Sequence, residues 1–340
     1  MPAARRGRVR RRVSRAPDRP DLPRYARRGL RLLWEQVSLP RLARREGVDV
    51  VLSPHYTMPL VGRFRRVVTL HDATFFSDAG LHLPVKAAFF RTWIRYALRH
   101  ADAVVVPSAA TASELRRFVP RQSAAVHIAH HGVDFDVFRV PTPSELVAVR
   151  SSLGIGDRPY VAFLGTLEPR KNVTALIDAM PAVAERLGPE TPALILAGAT
   201  GWDSAIDEAI DRTSRDATVL KPGYLPLEQL RAFLNGALAV VYPSLGEGFG
   251  LPVVEAMASG AYVITTRRLA LPEVGGDAVD YSDVDARSIA DRILVAAGDP
   301  VTTQRLREAA ESRASTFTWE ASARVHLAAA DLVGSEAIDG

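Results

Sequence analysis

Pro243-Ser-Leu-Gly-Glu247-Gly-Phe-Gly250-Leu-Pro252-Val-Val-Glu255-Ala-Met-Ala-Ser-Gly260 follows the apolar run Leu238–Tyr242 and leads into a helix predicted to begin at Pro252, a first-turn position that proline favours. A glycine-rich turn between strand and helix brings backbone N–H groups to the carboxyl edge of a sheet, where a helix N-terminus favours an anion. Gly248 and Gly250 carry no Cβ and leave room for close approach. Glu247 falls in the turn and Glu255 in the opening of the helix, so both face one crevice. Alone, Glu255 reads as an acid complementing the helix dipole. Beside Glu247 and the glycines it reads as a ligand, because a carboxylate accepts hydrogen bonds from two neighbouring sugar hydroxyls.

Further upstream, Phe163-Leu-Gly165-Thr166-Leu-Glu-Pro-Arg170-Lys171-Asn172 leaves another strand in the same way. Arg170 offers a planar fork and Lys171 a point charge, the two forms of cation that suit a diphosphate. Adjacent basic residues are commonly only surface charge. These leave the first strand of their domain, where ligands gather in open α/β sheets. The two turns together suit a nucleotide sugar, with one glutamate on the hexose and the other on the ribose.

Outward from these turns, short Val- and Ile-rich runs alternate with helical patterns. Predicted strands are Val48–Leu52, Val67–Leu70, Ala103–Val106 and Val126–Ala129 in the first half. Tyr160–Leu164, Ala193–Ala197, Thr218–Leu220, Leu238–Tyr242 and Ala261–Thr265 follow in the second. Continuous apolar runs suit parallel strands covered on both faces, and the alternation points to doubly wound α/β sheets. Pro141-Thr-Pro143 and Gly154-Ile-Gly156-Asp-Arg-Pro159 bracket the break between the halves. The expected organisation is an Arg-rich, poorly ordered arm over 1–30, a first Rossmann-like domain over 31–145, a second over 146–315, and a C-terminal helix within 316–340 that crosses back to the first.

Composition narrows the class. The 340 residues are 47% hydrophobic and 24% charged, enough for two cores, and contain no cysteine. Disulfides, thiol nucleophiles and Cys-ligated zinc are therefore excluded, and the absence fits a reducing compartment. No run of about 18 apolar residues suggests a spanning helix, and the N-terminus lacks the apolar core of a signal peptide. Of the net charge of +5, residues 1–31 contribute +10, with twelve Arg and two Asp, which leaves −5 on the remaining 309. The arm reads as solvated charge or as attraction to anionic lipid. Nucleic acid is set aside, because no aromatic interleaving accompanies the arginines. In 84–99, Val85, Ala88, Phe89, Thr92, Trp93, Tyr96 and Ala97 recur at helical spacing beside a stripe of Arg91, Arg95 and Arg99. That pattern admits a helix packed on its sheet or one lying on a membrane surface. Arg27, Arg28 and Arg31 beside Leu30, Leu33 and Trp34 admit the same two readings.

The Glu247…Glu255 motif with Gly-Phe-Gly-Leu-Pro between, and the run Gly165-Thr-Leu-Glu-Pro-Arg-Lys-Asn172, resemble the retaining glycosyltransferases of family 4. Leu70-His71-Asp72, His131-Gly-Val-Asp134 and Gly223-Tyr224-Leu225 extend the likeness over roughly residues 30–335. The resemblance implies a GT-B fold: two Rossmann-like doubly wound domains with the ligand cleft between them. It implies that Arg170 and Lys171, with Gly165 and Thr166, neutralise the donor diphosphate as it leaves. Glu247, Gly248, Phe249 and Gly250 would hold the transferred hexose, Glu255 the ribose, and Tyr224 and Leu225 would lie near the base. His71 would reach toward the sugar as a catalytic group; without the family it reads as a strand-end histidine capping backbone. Asp72 is expected to shape its turn. Tyr56 and Thr57 are candidate acceptor contacts or turn packing. The resemblance further implies retention through same-face attack, in which the leaving phosphate helps to deprotonate the acceptor.

No cofactor is expected, the nucleotide sugar being a substrate, with GDP-mannose favoured over a UDP-hexose. No metal is expected either: Asp134-Phe-Asp136 and Asp283-Val-Asp285 read as loop or helix-start acids. The expected partners are the donor and a lipid-linked or glycan acceptor, with peripheral contact to anionic membrane through the basic arm and helix 84–99, and the expected location is cytoplasmic, at the inner face of the membrane. The chain departs from the family at its start, where one or two strand–helix units of about 30 residues each are missing from the pattern. This motivates the alternative of a protein that binds a nucleotide sugar without transferring it. A hydrolase using the two glutamates has no need of the adjacent cations. A nicotinamide-dependent dehydrogenase lacks its Gly-x-Gly-x-x-Gly turn.

Overall fold

The computed structural model describes residues 30–77, 84–213 and 217–335, and the predicted arm over 1–30, with Arg27 and Arg28, lies outside them except for Leu30. The chain divides into two units. The smaller comprises residues 1–48 and 59–63. Its described part is helical from 30 to 33, widens into a π-helical turn at Trp34–Ser38 and continues as the α-helix Leu39–Arg45. Gln36 Oε1 accepts from the Leu60 amide at 2.9 Å.

The larger unit, residues 49–58 and 64–340, carries two parallel sheets. In the first, β1 (Val50–Ser53), β2 (Arg65–Thr69), β3 (Ala103–Val106) and β4 (Ala125–Ile128) lie side by side in chain order, with Val67 opposite Ala103 and Ala103 opposite Ala125. Successive side chains of a strand point to opposite faces, and here both faces are apolar. Val68, Val104 and Val106 join Ile94, Leu98 and Leu115 on one side. Val67, Ala103 and Val105 pack with Ala129 and Ala329 on the other, where the helix Trp319–Ser335 lies across the sheet. The helix Pro84–His100 buries Ala87, Ile94, Ala97 and Leu98, with Trp93 and Tyr96 packed beside them, and leaves Val85, Ala88, Phe89 and Thr92 of the expected stripe exposed. Nor are its arginines a free stripe: Arg91 and Arg95 stack over Phe76, and Arg91 Nε donates to Phe75 O.

The second sheet contains β5 (Tyr160–Leu164), β6 (Ala193–Ala197), β7 (Val219–Gly223), β8 (Ala239–Tyr242), β9 (Val263–Thr266) and β10 (Asp280–Ser282) in the order β10-β9-β8-β5-β6-β7. Counted within this half the order is 3-2-1-4-5-6, that of dinucleotide-binding folds, which reverses between its first and fourth strands. Those strands are β5 and β8, bonded to each other. One core spans this half and takes in Val133, Phe138 and Val149 ahead of the first strand, so the change of core precedes residue 145. The bracketed segment predicted as a break is the helix Pro143–Leu153. It opens with a capping box in which Thr142 and Glu145 satisfy each other's backbone, and closes on Gly154 in the left-handed conformation. Glu145 also pairs with Arg231 of the helix Leu227–Asn235. Ala329 is fully buried beneath the first sheet. Ala329→Asp places an unpaired carboxylate there, and a cost of about 3 kcal/mol is expected to lower the thermal midpoint by about 4 °C. An unchanged midpoint contradicts this packing.

Candidate active site

Ligands of open α/β sheets bind outside the carboxyl ends of the strands where the order reverses. Here those ends carry the two turns singled out in the sequence, Gly165–Asn172 after β5 and Pro243–Gly250 after β8. The helix starts at Leu251 with Pro252 second, one residue earlier than predicted, and Gly250 caps it at φ +103°, a conformation costly to any residue with a Cβ.

The two turns are tied by charge. Arg170 Nη1 donates to Glu247 Oε2 at 2.5 Å and to the Gly246 carbonyl at 2.6 Å, and its Nη2 donates to Glu168 Oε1 at 2.7 Å. Lys171 Nζ donates to Glu247 Oε1 at 2.6 Å. The three principal side chains are each only 11–12% exposed. Burial alone would push the Glu247 carboxyl up, but Lys171 and Arg170 outweigh it and hold it at about 2. Burial likewise works against the Arg170 charge, and Glu247, Asp72 and Glu168 more than restore it. Both Glu247 oxygens are thus occupied by cations, so this carboxylate anchors charge in the site.

Next to this cluster lie groups that the protein leaves unsatisfied. The amides of Gly248, Phe249 and Gly250 are buried and have no acceptor among the described residues. Five buried side-chain polar atoms among the described residues lack a partner, and three of them, Tyr242 Oη, Ser244 Oγ and Ser282 Oγ, sit at the ends of β8 and β10. Buried polar groups are almost always paired, so a cluster of orphans marks a place built for a ligand. Glu255 belongs with them. Its carboxylate makes no hydrogen bond or ion pair among the described residues, and burial pushes it up to about 7.

Backbone strain converges on the same region. Among the described residues, three other than glycine have positive φ: Tyr56 at 51°, Asn172 at 54° and Leu269 at 46°. Such conformations cost of order 1–3 kcal/mol and cluster at functional sites. Asn172 Nδ2 holds the Pro243 and Val284 carbonyls. Leu269 lines a narrow gap with Asp72, Thr111, Glu247 and Gly248. Neither this strain nor the contacts of Ser108 and Glu273 described below were foreseen. The only local signal was Ser108 before Ala109–Phe118, which reads as an ordinary helix cap.

Other predicted residues are placed as follows. Gly165 and Thr166 are half-buried at the end of β5. Tyr224 is 81% exposed after β7, while Leu225 packs against the core. Asp72 accepts from the Thr74 amide at 2.5 Å and is half-buried, with the Arg170 charge nearby; burial raises its carboxyl. The His71 ring has Nε2 2.7 Å from Pro54 O and Nδ1 3.4 Å from His131 Nε2. His131, which burial and then His71 push down to about 4, is a neutral neighbour. It is the His71 carbonyl that meets the glycine turn, 2.1 Å from where a Cβ on Gly248 would stand. Tyr56 and Thr57 are buried, with the Tyr56 ring against Phe90 at 4.7 Å, so they pack the turn after β1. Asp136 lies in a loop whose amide Asp134 accepts, and Asp285 caps the helix Ala286–Gly298.

Two parallel α/β sheets, the second in the strand order of dinucleotide-binding folds, define a GT-B fold, and known proteins share it. Residues 148–313 match the family described as glycosyl transferases group 1, and residues 2–137 match glycosyltransferase family 4. The O-antigen chain mannosyltransferase B of Escherichia coli is 30% identical over 261 residues, 75% of this chain and 67% of that one. An alpha-maltose-1-phosphate synthase of Mycobacterium tuberculosis is 28% identical over 246 residues, 67% of this chain and 62% of its own length. In structure, sucrose-phosphate synthase of Thermosynechococcus elongatus superposes with a TM-score of 0.74 at 20% identity, covering 94% of this chain and 81% of that one. HepE of Anabaena in complex with UDP-glucose gives 0.67 at 21% identity, covering 80% and 73%. The chain belongs to the group 1 glycosyltransferases of family 4. It spans about two thirds or less of the length of these two sequence relatives.

The Glu255 carboxyl is raised from 4.5 in the folded state, so the stability it contributes is complete below about 4.5 and is lost as pH rises through about 7. Glu255→Gln is neutral throughout. It is expected to raise the thermal midpoint relative to the parent at pH 8 and to leave it nearly unchanged at pH 4.5, as read by calorimetry. Equal differences at the two pH values contradict an unpartnered buried carboxyl.

Proposed function

We propose that the protein transfers a hexose, with retention of anomeric configuration, from a nucleotide diphosphate sugar to a hydroxyl of a cell-envelope glycan or glycolipid. The observation that carries the reading is the buried Arg170–Glu247–Lys171 cluster at the strand-order reversal. When the glycosyl bond breaks, negative charge builds on the departing phosphate oxygen. Cations and preorganised amides aimed there stabilise the transition state more than the ground state. Glu247, with both oxygens already bonded, supports a route that needs no carboxylate nucleophile. In that route the acceptor oxygen bonds to the anomeric carbon on the face the phosphate leaves, and its proton passes to the phosphate. Glu255 would take the ribose hydroxyls and Tyr224 would lie by the base. Mannose as the transferred hexose rests on the E. coli mannosyltransferase relative, and GDP as its carrier on the likeness of the Gly165–Asn172 run to mannosyltransferases. The alternative, binding without transfer, is separated by turnover.

Lys171→Ala removes one of the two cations, and turnover is expected to fall at least tenfold, about 1.4 kcal/mol or more. Anomeric-proton NMR of the parent's product is expected to show the donor's configuration. Near-normal turnover in the variant, or an inverted product, contradicts the reading.

The smaller unit supports a peripheral membrane position. No helix of the described residues is long and apolar enough to cross a membrane. Leu30, Leu33, Trp34 and Val37 nevertheless recur at helical spacing and are all exposed, with Arg41, Arg44 and Arg45 on the next turns. An apolar stripe beside basic residues suits an anionic lipid surface. The protein is expected to sediment with phosphatidylglycerol vesicles, and Leu33→Glu with Trp34→Glu to abolish this. Equal binding by parent and variant contradicts the assignment.

A further inference from the structure

The inference rests on the donor reading above and deepens it. Ser108 Oγ and Thr111 Oγ1 both donate to the Gly248 carbonyl, at 2.6 and 2.8 Å, across more than 130 residues of chain. Both side chains are buried, and both belong to the start of the helix Ala109–Phe118 beside the first sheet. The grip is reciprocal. Glu273, in the helix Leu271–Gly275 of the second half, accepts from the amides of Ala109 at 2.9 Å and Ala110 at 3.2 Å, and His130 Nε2 lies 2.7 Å from the same carboxylate.

Gly248 C=O and Phe249 N–H belong to one peptide unit, and a trans peptide sets them on opposite sides; none of the described bonds is cis. Two hydroxyls that hold the carbonyl toward the first half therefore turn the Phe249 N–H back into the second half. That N–H is buried and has no acceptor among the described residues. A carbonyl accepting two hydrogen bonds also polarises its own peptide, which makes the N–H a stronger donor.

We propose that Ser108 and Thr111 are positioning residues that fix the Gly248–Phe249 peptide plane so that its N–H is presented to the diphosphate-hexose part of the donor. They act through the peptide. The ribose and base have their own contacts at Glu255 and Tyr224, so the effect is confined to ligands that carry the terminal phosphate and sugar. The reading also gives a reason for glycine at 248, since a Cβ there would strike the His71 carbonyl and hold the hydroxyls out of reach.

Thr111→Val keeps the side-chain shape and removes the hydroxyl, while Thr111→Ser keeps the hydroxyl. Calorimetric titration of parent and variants with GMP, GDP-mannose, UMP and UDP-glucose reads the difference. Thr111→Val is expected to weaken the sugar nucleotide that the parent binds by about fivefold to tenfold. The matching monophosphate should change less than twofold, and Thr111→Ser should restore the parent's affinity. If Thr111→Val does not fold, Ser108→Gly removes the other donor and keeps a tolerated helix cap, and the same ratio decides. Parent-like affinity for the sugar nucleotide overturns the positioning role, and so does equal weakening of monophosphate and sugar nucleotide. A parent that binds none of the four overturns the donor reading itself.

Discussion

Everything at the crevice depends on one carboxylate. Glu247 stands in a turn that follows β8, and Arg170 and Lys171 stand in the turn that follows the neighbouring β5; its two oxygens take one cation each. Desolvation opposes burying charge here; the two cations outweigh it for the Glu247 carboxyl, and Glu247, Asp72 and Glu168 outweigh it for Arg170. The cluster therefore fixes the spacing of two loops that no secondary structure joins. It also holds two cations, paired with Glu247 and Glu168, next to amides and hydroxyls that lack partners among the described residues. Under the proposed function these groups would meet an anion that bears hydroxyls.

The second constraint is steric. The glycine turn approaches the His71 carbonyl too closely for any side chain at 248, and its carbonyl is held by Ser108 and Thr111. The chemistry of one half is thereby made dependent on the other. The first sheet does not need to supply a charged side chain to matter, because its main chain and two hydroxyls already shape the turn. This is why the His71 imidazole, engaged with Pro54 and His131, is less informative than its backbone.

Much of this was legible from the residues, for identifiable reasons. Fully buried parallel strands leave unbroken apolar runs, so Ala103–Val106, Tyr160–Leu164 and Ala193–Ala197 coincide with the observed strands, and most others lie within two residues. The two ligand turns were legible because glycine, proline and paired charges are concentrated in them. β10 was missed because Asp280-Tyr-Ser282 is three residues long at a sheet edge and carries no apolar pattern. The helix Pro143–Leu153 was hidden behind its prolines and glycines, although Thr142-Pro-Ser-Glu145 is a capping-box spacing. The buried face of Pro84–His100 was only partly identified because apolar residues recur on more than one of its faces. The strain at Tyr56 and Leu269, and the contacts of Ser108, Thr111 and Glu273, depend on partners more than 100 residues away or on backbone angles. No local pattern encodes either.

The central claim is that the crevice at the ends of β5 and β8 is a nucleoside diphosphate site. The thermal midpoint of the protein with GDP, UDP, ADP or no ligand tests it most directly. A ligand at about 100 times its dissociation constant stabilises by about 2.7 kcal/mol, so a clear rise with one base and a smaller rise or none with the others is the predicted result. No rise with any of the three at millimolar concentration would contradict the claim.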